Sequence, residues 1–189
     1  MPRLALLIVV MLATGHSAAH ASDPAAAGSG VVARAAELDA LHQQLASAET
    51  PSQARALSAR IWTLWLKAPD AAAQALMDQA VDRRRAGDYD AAIAVLDELT
   101  AGWPAYAEGW NQRATLFYLK GQFAPSLADV STVLSLEPRH FGALAGKALI
   151  LFQMGEEDAA NRTLLEALRV HPWLQERRLL DPAYVETPL

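Results

Sequence analysis

The chain predicts an all-α fold built from stacked antiparallel helix pairs, and three observations carry that prediction. Gly87, Gly121 and Gly155 lie 34 residues apart, and Pro104, Pro138 and Pro172 keep the same spacing. Between each Gly and the following Pro runs the same type of segment: GDYDAAIAVLDELTAGWP, GQFAPSLADVSTVLSLEP and GEEDAANRTLLEALRVHP. Apolar residues recur at helical spacing throughout, and no segment shows the sustained alternation of a strand.

The physical role of each marker follows from its backbone. A Gly tolerates the left-handed conformation that ends a helix. A Pro after the second helix prevents its continuation. Ala92, Ser126 and Ala160 occupy one equivalent position, where a small side chain lets two helices approach. Ile93, Leu96 and Leu99 follow on the buried stripe, matched in the next segment by Leu127, Val130, Val133 and Leu134.

On these residues the chain resembles the tetratricopeptide repeat (TPR) family, whose unit is a 34-residue helix-turn-helix. The family frame sets copies at 73–106, 107–140 and 141–174. The second fits best: Trp110, Ala114, Phe117, Gly121, Phe123 and Pro138 all fall on pattern positions. The third departs at Glu157, where an aromatic is usual, and the first at Gln79 and Arg83, where apolar residues are usual. The resemblance implies a right-handed α-solenoid whose first helices line a concave groove.

Upstream, 31–72 reads as a degenerate leading helix pair. Leu38, Leu41 and Leu45 form one stripe of a helix running from Val32 to Ala48. Thr50, Pro51 and Gln53 carry the signature of an N-cap, a first-turn proline and a capping box. The helix they open is rich in Leu57, Ile61, Trp62, Leu64, Trp65 and Leu66. Terminal repeats must shield an exposed face, so Trp62 and Trp65 are expected to cover the first copy. Downstream, 175–189 reads as a capping helix and tail, with Leu179 and Leu180 folded back on the last copy. Eight substantial helices in four pairs and a short ninth are expected.

Residues 1–21 read as a secretory signal peptide. Arg3 opens it, Leu4 to Ala13 form the apolar stretch, and Ala19-His-Ala21 is a small-x-small cleavage site. That stretch is about half of the roughly 20 residues a spanning helix needs. Residues 22–30 read as a flexible leader, and the expected location is periplasmic or secreted. Cysteine is absent, which excludes disulfides and thiolate chemistry. A net charge of −5 argues against nucleic acid as a partner.

Catalytic motifs are missing. His42, His140 and His171 remain once 1–21 are removed, and none has a second His or a carboxylate at metal spacing. No nucleophile elbow, phosphate loop or dinucleotide fingerprint occurs. The reading is therefore a non-enzyme without metal or cofactor.

The resemblance implies a protein or peptide partner in the concave groove. The groove positions are Gln74, Met77, Asp78, Val81, Arg84 and Arg85 in the first copy. In the second they are Glu108, Asn111, Gln112, Thr115, Tyr118 and Leu119, and in the third Gly142, Ala145, Gly146, Leu149, Phe152 and Gln153. A Tyr118/Phe152 patch would hold the ligand, with Asn111, Gln112 and Arg84 orienting it. Gly142 and Gly146 leave room. The Lys/Asn/Arg set with which one TPR subclass grips a C-terminal carboxylate is missing, because Met77, Val81, Gln112, Gly142 and Gly146 stand there. Arg83, Arg84 and Arg85 complement a helix C-terminus. The alternative is a self-associating structural protein of the envelope, a homo-oligomer joined through Trp62, Trp65, Leu179 and Leu180.

Overall fold

The computed structural model describes the backbone of residues 24–184 and side chains from Val32 onward. Eight α-helices run in order: α1 (Pro24–Ala46), α2 (Pro51–Leu66), α3 (Ala71–Arg85), α4 (Tyr89–Gly102), α5 (Ala107–Leu119), α6 (Phe123–Leu136), α7 (Phe141–Gln153) and α8 (Glu157–Val170). Two short 3-10 turns follow, Gln175–Leu179 and Pro182–Tyr184, and no strand occurs among the described residues. The expected all-α solenoid of helix pairs is present. The signal segment 1–21 lies outside the described residues.

The glycine turns form for the reason the sequence suggests. Gly87, Gly121 and Gly155 have φ of 78°, 71° and 79°, and among the described residues they are the glycines with positive φ. At the second turn, Gly121 N–H donates to the Tyr118 carbonyl at 2.9 Å and Gln122 N–H to the Phe117 carbonyl at 2.8 Å. The other two turns repeat this pairing, which satisfies carbonyls the helix end would otherwise orphan. Asp88 caps α4 through its side chain, accepting from Ala91 N–H.

The small-residue positions behave as packing theory requires. Ala92, Ser126 and Ala160 are completely buried, and the Ser126 hydroxyl is satisfied by the Ala114 carbonyl at 2.7 Å. A larger side chain at any of them would push a pair apart. Between α4, α5 and α6, Arg113 replaces apolar packing with a charge cluster. Its Nε and Nη2 donate to the two Asp129 oxygens at 2.8 and 2.7 Å, and its Nη1 reaches Asp97 and Thr100. Its guanidinium lies over the Trp110 ring, 4.8 Å from the centroid. The hydrogen bond to Asp129 raises the Arg113 pKa above its ordinary value, so the guanidinium stays charged.

The flanking segments differ from expectation in three ways. Helix α1 begins at Pro24, so most of the segment read as a flexible leader is helical. Pro is compatible with a first turn, and Ala25, Ala26 and Ala27 are strong helix formers. At the other end, Leu179 is exposed, and Leu174 is the apolar residue that turns inward. A 3-10 turn replaces the predicted cap helix there.

The third difference concerns α1 and α2, which are not a leading repeat stacked on α3–α4. Helix α2 makes little contact with α3; its backbone approaches α5 and its tryptophans meet Phe141 of α7, while α1 reaches α8. Leu38, Leu41, Leu45, Leu57, Ile61 and Trp65 share one core with Phe141, Leu144, Ala145, Ala167 and Leu174. Trp62 and Trp65 therefore cover the third helix pair, not the first. The polar face of α3, with Gln79 and Arg83 exposed, offers little to cover, whereas α7 presents a continuous apolar surface.

Two stability predictions follow from these contacts. Asp129→Ala removes the bidentate partner of a guanidinium that keeps only Asp97 and Thr100, and should cost about 2–3 kcal/mol in urea unfolding. Gly121→Ala forces a side chain into positive φ and should cost about 1–2 kcal/mol, measured the same way.

Candidate functional site

The first helices of the three pairs share one face, as the Arg84–Gln112 and Glu108–His140 contacts between them show. The predicted groove residues fall on it, but in two groups of different character. Around the starts of α5 and α7 the face is closed. Toward the glycine turns it is open.

The closed part is organised by Glu108, which is 1% exposed in the first turn of α5. Its carboxylate accepts from the Asn111 amide at 3.2 and 3.1 Å, from the Gln112 amide at 2.5 Å, and from the His140 ring at 3.2 Å. Helix N-termini favour such a negative charge. His140 is itself the N-cap of α7: its Nδ1 accepts the Ala143 N–H at 3.1 Å. That bond fixes the tautomer, because Nδ1 must be bare, so Nε2 carries the proton and donates to Glu108. Gln112 completes the chain by accepting from Arg84 at 3.3 Å. Burial and the adjacent Arg85 lower the Arg84 pKa from its ordinary value.

Glu108, Asn111 and Gln112 were expected to meet a partner. Their side chains are buried and committed to one another, and so they do not form an open contact surface. The sequence reading finds no metal partner for His140 and gives it no other role. Its position immediately before α7, where helix N-caps sit, was the signal that could have found it.

Over this network lies the α1–α2 hairpin. The Trp65 ring stacks on His140 with centroids 4.0 Å apart and planes inclined by 9°. Trp62 meets Phe141 and His140 edge-on at 5.7 and 5.5 Å. The room expected at Gly142 is filled by Trp62: a Cβ there would come within 2.8 Å of the ring. Gly146, one turn on, has nothing within 4 Å. Polar pins hold the hairpin's edges. Ser58 shares a 2.8 Å hydrogen bond with His171 Nε2, Trp173 donates to the Ala48 carbonyl, and Tyr106 donates to the Leu66 carbonyl. Asp39 of α1 pairs with Arg139. Three buried polar atoms in the same layer, both His42 nitrogens and Trp65 Nε1, lack a partner. Each costs roughly 1–3 kcal/mol. Burial, aided by Arg139, lowers the His42 pKa.

Of the remaining predicted residues, Met77 and Ala145 are buried in the core, and others form the open part. Thr115, Tyr118, Leu149 and Phe152 are half-buried, and Arg85 and Leu119 are exposed. The Thr115 hydroxyl donates to the Asn111 carbonyl, and Arg85 pairs with Asp82. The ring partner of Tyr118 is Phe123, at 6.1 Å, and burial raises its phenol pKa. Among the described residues no cluster of side chains suits a metal ion.

His171 supplies a pH dependence. Burial drops its pKa from 6.5 to about 4. The unfolded chain takes up a proton in that window and the folded chain does not. Stability is therefore full above pH 6.5 and falls as pH is lowered toward 4. His171→Asn should flatten this part of a plot of melting temperature against pH. In the same assay Gly146→Ala should raise stability by up to about 1 kcal/mol, while Gly142→Ala should not, because Trp62 blocks it.

No family model matches the chain. It is 37% identical over 138 residues to a TPR repeat-containing protein of Rhizobium etli, a match covering 71% of this chain and 66% of that relative. Among solved structures it is similar to the first TPR of Spaghetti (RPAP3) bound to the HSP90 peptide SRMEEVD, with TM-score 0.55 and 19% identity over 57% of this chain and 85% of that one. It is similar also to the Sgt2 TPR domain from Aspergillus fumigatus, with TM-score 0.52 and 18% identity over 62% and 75%. MamA shares the fold at TM-score 0.51 and 16% identity over 82% and 88%. The recurrent glycine turns, the stacked helix pairs and the Rhizobium etli relative together place this chain in the tetratricopeptide repeat family.

Proposed function

We propose that the chain is an exported, non-catalytic TPR adaptor of the periplasm or extracellular space. Its three 34-residue units, 73–106, 107–140 and 141–174, would bind a peptide or helix of a protein partner in the open part of the groove. One observation carries the reading. On the shared face of the first helices, Tyr118, Leu149 and Phe152 stay half-exposed with Leu119 and Arg85 beside them, while every other predicted polar groove residue of α5 is internally satisfied. Apolar rings bordered by a cation make a surface for an amphipathic segment with an acidic flank.

Export is supported by Arg3, the apolar Leu4–Ala13 run and Ala19-His-Ala21. No described helix is long and apolar enough to cross a membrane. The peptide-bound RPAP3 structure supports the partner class only. The clamp positions here hold Met77, which is buried, and Gly142, which Trp62 covers. The self-associating alternative loses the tryptophan part of its surface, since Trp65 is buried and Trp62 is packed against α7, and keeps Leu179, which is exposed.

In-cell crosslinking of a tagged chain, followed by identification of captured proteins, tests the reading. Tyr118→Ala with Phe152→Ala should reduce capture of the specific partner at least tenfold. Undiminished capture would refute the groove assignment, and an intact Met1 in the cytoplasm would refute export.

A further inference from the structure

The face beneath α2, made by α7 and the start of α5, has no role in the reading above. Four observations characterise it. It satisfies its own hydrogen bonds: His140 caps α7 and donates to Glu108 whether or not the hairpin is present. It carries a slot, because Gly142 is a helical glycine whose missing side chain makes room for the Trp62 ring. It offers a flat π surface in His140, on which Trp65 stacks, and a ring in Phe141, which Trp65 meets tilted and Trp62 edge-on. The segment that fills it is also imperfectly matched, leaving His42 Nδ1, His42 Nε2 and Trp65 Nε1 unpaired within the buried layer. That segment is joined to α3 by a short connector, residues 67–70, and does not stack on the pair that follows it.

We propose that this face is a receptor for an amphipathic helix bearing two large aromatic residues three positions apart, and that α2 is its tethered resident. The partner's chemistry is read from the resident. Leu57, Ile61 and Trp65 form an apolar stripe, and Trp62, three positions before Trp65, enters the glycine slot. A competing helix that gave the His42 ring a hydrogen-bond partner, and whose own indole N–H found an acceptor, would exceed α2 in fit. The tether gives α2 a high effective concentration, so the face stays covered until such a helix is present. When α2 leaves, the polar floor keeps all of its partners. The apolar area that Leu57, Ile61 and Trp65 uncover is the main cost of leaving, and an incoming helix of the same pattern covers it again, so the uncompensated cost is the rim bonds at Ser58, Ala48 and Leu66. This surface is distinct from the Tyr118–Phe152 side, and neither proposal depends on the other.

The probe is a fluorescein-labelled synthetic peptide of residues 51–67, titrated against the full chain by fluorescence anisotropy. Trp65→Ala in the chain weakens the resident while the peptide keeps its own tryptophans. The labelled peptide should bind this variant at least tenfold tighter than wild type. Adding Gly142→Leu should abolish the gain, and a peptide with both tryptophans replaced by Ala should bind neither chain. Because the chain has no cysteine, Asp39→Cys with Arg139→Cys can be bridged by a short bismaleimide to lock the hairpin down, and locking should suppress binding. Equal binding to released, wild-type and locked chains overturns the proposal. So does a Trp65→Ala chain that dimerises in sedimentation and excludes the peptide, since a second copy would then be the occupant. Should Trp65→Ala lose its helical circular dichroism, hydrogen exchange on the wild-type chain decides. Saturating peptide should accelerate exchange in α2 and leave α7 protected, and unchanged α2 protection overturns the proposal.

Discussion

One imidazole holds the two halves of this molecule together. His140 uses its Nδ1 to start α7, its Nε2–H to anchor Glu108 in α5, and its face to seat Trp65 of α2. Each role constrains the others. The cap demands a bare Nδ1, the bare Nδ1 puts the proton on Nε2, and that proton makes burial of the Glu108 carboxylate tolerable. The ring is then oriented by two hydrogen bonds at its edges, which leaves its plane free to stack. A side chain that only capped, or only stacked, could not join three helices from different parts of the chain.

This joint explains how the shared face comes to have two textures. Near it the polar groups of α5 turn inward and are used up, and the hairpin closes over them. Further along the same helices, past Asn111 and Thr115, side chains have no such anchor and remain half-exposed. The binding surface is thus the part of the groove that the chain's own packing leaves unspent. Sequence position alone places Gln112 and Tyr118 in equivalent groove sites. What separates them is the presence of Glu108 one turn from the first and of nothing comparable beside the second.

Local rules made the repeat legible. Glycines at helix ends, small residues at close contacts and prolines after second helices act within a few residues of themselves, and the structure has them where the sequence puts them. Thr50 caps α2, as its place before Pro51 suggests, and Gln53 reaches back to the Glu49 amide. What escaped is non-local. Nothing in the spacing of Trp62 and Trp65 says which of three helix pairs they will cover. The choice is decided by a comparison between surfaces: a polar α3 next in sequence and an apolar α7 far along it. The role of Glu108 was hidden for the same reason, since its partner His140 lies 32 residues away.

The fold-back also orders events in time. Helical repeat arrays ordinarily assemble neighbour on neighbour, so that what is made first can fold first. Here Ser58 waits for His171, 113 residues later, and the Ala48 carbonyl waits for Trp173, 125 residues later. At roughly 5–20 residues per second, synthesis leaves that interval open for on the order of ten seconds. Throughout it the apolar stripe of α2, with both tryptophans, is already made and has only α1 to pack against. The earliest helices of the described chain are the last to be seated, and until then they are the part of the molecule that a chaperone or a translocation machine would meet bare.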